Sequence, residues 1–93
     1  MGNMYDVSVT VVSQEGTCAG GHKVGDSWVI KDDKTPGGIC SGAFCAILPE
    51  VRVMSFGGNF PFAKDPDIHR VACPDALNPV VFELMRLEGK DFR

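Results

Sequence analysis

From Tyr5 to Ser13 the chain alternates. Tyr5, Val7, Val9 and Val11 are apolar, and Asp6, Ser8 and Thr10 between them are polar. A period of two places the first set on one face of an extended segment and the second on the other. The stretch therefore predicts a half-buried strand. Its apolar face needs a second layer to cover it. Gln14-Glu15-Gly16 ends the strand with turn-forming residues.

The covering layer is predicted from Ser41 to about Ser55. Phe44, Ile47, Leu48 and Val51 recur at i, i+3, i+4 and i+7, the stripe of an amphipathic helix. Its start is expected within a few residues of Ser41. Pro49 lies inside it, so a kink or restart is expected there. Three more strands are predicted: Ser27 to Lys31, with Trp28 and Ile30 on one face; Ile68 to Cys73; and Pro79 to Leu87. Loops fall at 16–26, which holds Gly16, Gly20, Gly21 and Gly25, and at 32–38. A third loop, 56–62, carries Phe56, Phe60 and Phe62. The order is β-β-α-β-β, an α+β domain with one principal helix on a mainly antiparallel sheet. Residues 88–93 are expected to form a loose tail.

Ninety-three residues make a single domain, 1–93. A chain this short builds a modest core and commonly gains stability by pairing with copies of itself, so a homo-oligomer is expected. Nine basic against twelve acidic residues give a net charge of −3, with no Lys/Arg run. That is not the footprint of a nucleic-acid binder. No stretch approaches the ~20 apolar residues of a membrane span. Residues 1–6 lack the basic and apolar regions of a signal peptide, and Asp6 stands where a myristoylation motif needs Ser or Thr. A cytoplasmic, reducing compartment is the expectation. Four cysteines there point to ligands, nucleophiles or core residues rather than disulfides.

Cys18, His22, Cys40 and Cys73 sit at element ends or in glycine-rich and proline-flanked loops, where side chains can turn toward one point. Cys40 precedes the helix, whose N-terminal N–H groups and dipole favour a thiolate. Three thiolates and an imidazole would complete a tetrahedral zinc shell, with sulfurs ~3.5–4 Å apart. They would also make a soft cage suited to iron, an iron–sulfur cluster or copper(I). No Cys-x-x-Cys pair is present, and buried cysteines also serve as small hydrophobes. In a metal-free alternative Cys40 is the nucleophile, His22 the base, and Phe56, Phe60 and Phe62 the wall of a pocket for an unidentified small molecule.

Cys45 falls beside the apolar stripe and reads as a helix-edge residue. His69 shares a strand face with Val71 and Cys73 and could reach the site, though a sheet histidine is the commoner role. Asp26 and Asp75 read as turn caps rather than as groups orienting His22. No Gly-x-Gly-x-x-Gly or Gly-Lys-Ser/Thr is present, which discounts nucleotide binding.

Taken in order, Gly16-Thr17-Cys18-Ala19, Gly21-His22-Lys23-Val24-Gly25-Asp26, Pro36-Gly37-Gly38-Ile39-Cys40, Phe56-Gly57-Gly58, Arg70-Val71-Ala72-Cys73-Pro74-Asp75 and Asn78-Pro79-Val80-Val81-Phe82-Glu83-Leu84 resemble a family of roughly ninety-residue cysteine-containing proteins of anaerobic bacteria and archaea. The resemblance spans nearly the whole chain. It implies that Cys18, His22, Cys40 and Cys73 belong to the family's motif, and its anaerobic setting favours thiolate, iron or redox chemistry. The chain departs from it at Cys45. The resemblance supplies no reaction. A purely structural or partner-binding domain is the third reading.

Overall fold

The computed structural model describes residues 3–91. Strands β1 (Asn3–Gln14) and β2 (Ser27–Ile30) precede helix α1 (Ser41–Ser55), and strands β3 (Ile68–Ala72) and β4 (Val80–Asp91) follow it. The four strands form one antiparallel sheet in the order β2-β1-β4-β3. β1 and β4 are the long central pair, and the chain passes from one sheet edge to the other through α1. The fold is α+β, as the alternation and the helical stripe predict.

The period-two faces explain the core. Val7, Val9 and Val11 of β1 and Val80, Phe82 and Leu84 of β4 are buried under α1, which presents Ala43, Ile47, Val51 and Met54. The buried stripe is thus turned slightly from the predicted one: Phe44 and Leu48 flank it, half-buried. A bulge between Tyr5 and Val7 breaks the alternation, and Met4 rather than Tyr5 is buried.

Two expectations are corrected. α1 does not restart at Pro49 but continues as one helix. Both Pro49 and Cys45, whose carbonyl loses its partner, lie on the exposed face of the helix. That carbonyl is open to solvent, while the opposite face stays packed on the sheet. Nor is the segment after Leu87 loose: β4 continues to Asp91, where it pairs with Asn3. The long β1 partner supplies backbone bonds that residue type alone does not reveal. Residues 92 and 93 of the expected tail lie outside the described residues.

α1 is closed at both ends. Cys40 is its N-cap, with extended backbone (φ −65°, ψ 147°), and its Sγ accepts the Ala43 N–H at 3.4 Å. At the other end Gly57 donates to Met54 and Gly58 to Val53. Gly57 takes φ +84°, the left-handed turn that such a cap requires. Among the described residues no helix is long and apolar enough to cross a membrane.

Candidate functional site

One end of the sheet gathers the C-terminus of β1, the start of β2, the end of β3, the start of β4 and the N-terminus of α1. The three cysteine-bearing segments meet there. Cys18 comes from the β1–β2 loop, Cys40 from the helix cap and Cys73 from the residue after β3. All three line one cavity of about 190 Å³, together with Ala19, Gly20, Gly42, Ala43, Pro74, Asp75 and Asn78. Each is part-buried and is a free thiol. The spacing along the chain does not announce this convergence; the sheet creates it.

Backbone donors hold two of the sulfurs. Besides the Ala43 N–H at Cys40, the Val80 N–H points at the Cys73 Sγ at 3.3 Å. Cys73 also donates its own N–H to the Val80 carbonyl, closing the β3–β4 turn. Donors of this kind stabilise negative charge on sulfur.

His22 is 7% exposed. Its Nε2 accepts the backbone N–H of Cys40 at 3.0 Å. That bond requires a neutral ring with its proton on Nδ1. The ring packs edge-on against Trp28 and Phe82, at 5.1 and 6.3 Å between centroids. His22 is therefore beside the cavity rather than on its wall. The lone pair that a base or a metal ligand would use already holds the backbone of Cys40. Gly20 presses against the same two residues: a Cβ built there would lie 2.9 Å from the Cys40 Cβ and 3.5 Å from the His22 Nε2. Only glycine fits that approach undisturbed.

Asn78 joins the loops. Its Oδ1 accepts the Thr17 N–H at 2.9 Å, and its Nδ2 donates to Asp75. Asp75 caps its own turn. The N–H of Leu77, then the N–H and side chain of Asn78, hold its carboxyl below the usual carboxylate range. Asp26 likewise caps a turn, accepting the Lys23 N–H at 3.1 Å.

The remaining candidates lie elsewhere. Phe56, Phe60 and Phe62 do not line the cysteine cavity. They follow the far end of α1, and a helix of fifteen residues spans about 22 Å. The Phe56 ring lies under the Arg52 guanidinium. Phe60 stacks on His69 at 4.2 Å, and Phe62 and His69 line a second, more open depression of about 360 Å³. His69 stands four strand residues before Cys73, about 13 Å away along the sheet. Cys45 is exposed on the outer face of α1.

One group at that far end went unnoticed in the sequence. The Arg86 side chain is 6% exposed, and all five of its N–H donors are used. Nε bonds Asp67, one terminal nitrogen bonds the Met54 and Gly58 carbonyls, and the other bonds Asn59 and the Pro66 carbonyl. The signal was present: Val80, Phe82, Leu84 and Arg86 share one strand face, so an arginine falls where the core is.

Among the described residues, no three His, Cys, Asp or Glu side chains are placed as an ion-holding group. The chain matches no protein-family model, no curated protein and no solved structure. Its site is read from its own residues.

Proposed function

We propose that this chain binds a thiophilic inorganic centre through the thiols of Cys18, Cys40 and Cys73, a metal ion or an iron–sulfur cluster being the general class. One observation carries the reading: three of the four cysteines, from three separate segments, line a single cavity. Thiolates select soft centres over magnesium or calcium. The space, about 190 Å³, exceeds the ~30 Å³ share of one water and admits a centre with attached ligands. His22 serves this site by holding Cys40, not by coordination. Metal and acid-labile sulfide analysis of protein purified without oxygen tests the reading. A stoichiometric centre lost in C18A, C40A and C73A but kept in C45A supports it. Equal content in all four variants contradicts it.

A second reading has a specific support. Cys40 caps a helix, its sulfur receives a backbone N–H, and it opens on the cavity, as a nucleophile toward a small electrophile would. Alkylation at Cys40 well ahead of Cys45, with no bound centre, would favour it.

Self-association belongs to the same proposal. Val29, Met85 and Leu87 are exposed on the sheet face opposite α1, and apolar exposure of that kind favours pairing. Light scattering at micromolar concentration should exceed the 10.0 kDa of one chain. A monomer would refute this part. The low-charge chain and its free thiols fit a reducing, cytoplasmic setting.

A further inference from the structure

The groups around the three sulfurs narrow the kind of centre they take; this inference rests on the thiol-cavity reading above. A closed zinc site needs four ligands. His22 cannot provide the fourth while its Nε2 holds the Cys40 N–H. Both oxygens of Asp75 are engaged by Leu77 and Asn78. Protein ligation then stops at three thiolates.

Charge narrows the choice further. Three thiolates around a divalent ion leave one negative charge, and around a monovalent ion two. No Lys, Arg or His lines the cavity, and Asp75, its one charged wall residue, carries the same sign. The rest of the wall is Ala19, Gly20, Gly42, Ala43, Pro74 and Asn78. Uncompensated charge on the part-buried sulfurs carries a desolvation cost, and the N-terminus of α1 offsets part of one charge only. Three thiolates around a trivalent centre leave none.

We propose that the cavity captures one trivalent arsenic, taken up as arsenous acid, on Cys18, Cys40 and Cys73 alone. Three S–H and three As–O bonds break, three As–S bonds form, and three water molecules leave. Arsenic stays trivalent, and no proton or electron is gained or lost.

The test adds sodium arsenite, zinc or ferrous iron to the reduced full chain under argon. Native mass spectrometry and alkylation mapping read the result. The expected outcome is one arsenic per chain, with Cys18, Cys40 and Cys73 protected and Cys45 alkylated. Cys45→Ala, outside the cavity, should bind as the parent does, and zinc should protect less well. Protection of only two thiols overturns the proposal. So does loss of arsenite binding in a folded Cys45→Ala. Zinc or iron protecting the three thiols where arsenite does not would sink the trivalent assignment and leave the thiol cavity standing. Protection by none of the three removes both.

Discussion

The Nε2 of His22 accepts the backbone N–H of Cys40 at 3.0 Å, so a buried imidazole fixes the residue that caps the helix and faces the cavity. His22→Ala removes the acceptor and leaves a void beside Trp28 and Phe82. It should cost about 2–4 kcal/mol in denaturant unfolding. His22→Gln keeps an acceptor oxygen and should recover part of that loss. Equal losses in the two variants would mean that ring packing, not the hydrogen bond, holds Cys40.

Gly20 and Gly42 both line the cavity, and they should respond oppositely to alanine. At Gly20 the new Cβ meets the Cys40 Cβ at 2.9 Å, and the substitution should destabilise by about 1–3 kcal/mol. At Gly42 nothing lies within 4 Å, and the helical position should gain up to about 1 kcal/mol. Thermal unfolding of the two variants checks both signs. A neutral Gly20→Ala would show that the loop does not press on Cys40.

Arg86 should be irreplaceable by lysine. Lysine keeps the charge but has three donors on a point-like head, against five in a planar fork. The part-buried carbonyls of Met54 and Gly58 lose their bonds to the guanidinium in Arg86→Lys, at about 1–3 kcal/mol. Because Arg86 lies at the opposite end of α1, relative labelling of Cys18, Cys40 and Cys73 in the folded variant should not change. A change there would show that the two ends are coupled.

Asp75 gives a pH dependence of known sign. Its carboxyl is held low in the folded protein by the Leu77 N–H first and then by Asn78. A depressed folded value means stability that is present above the ordinary carboxylate value, ~3.9, and is lost as pH falls through the depressed one. Melting temperatures of the parent should therefore drop more steeply than those of Asp75→Asn as pH falls below about 4. Parallel curves would contradict the turn-capping role.

How much of this was legible depended on whether the signal was local. Val7, Val9 and Val11 announce their face through period two, and Ile47 and Val51 announce the helix through period 3.6. Cys40 as a helix cap follows from its place before Ser41. Contacts between distant segments were legible only where element ends hinted at them, as for Cys18, Cys40 and Cys73. Asn78 reads as one more turn former, yet its decisive bond is to Thr17, 61 residues away. The phenylalanines of 56–62 look like a pocket wall until the sheet places them at the other end of α1. The segment after Leu87 looks loose because its charged residues give no sign of the β1 partner that β4 follows to Asp91. Arg86 shows the reverse case: its face was readable, and an arginine among core positions was the clue.

The account's central claim is that Cys18, Cys40 and Cys73 act as one centre and Cys45 does not. Differential alkylation of the protein as purified without oxygen, followed by removal of any bound centre and a second alkylation with a distinguishable reagent, tests it most directly. The account predicts that Cys45 takes the first label and that Cys18, Cys40 and Cys73 take the second together. First-label modification spread evenly over all four cysteines, or Cys45 among the protected set, would contradict it.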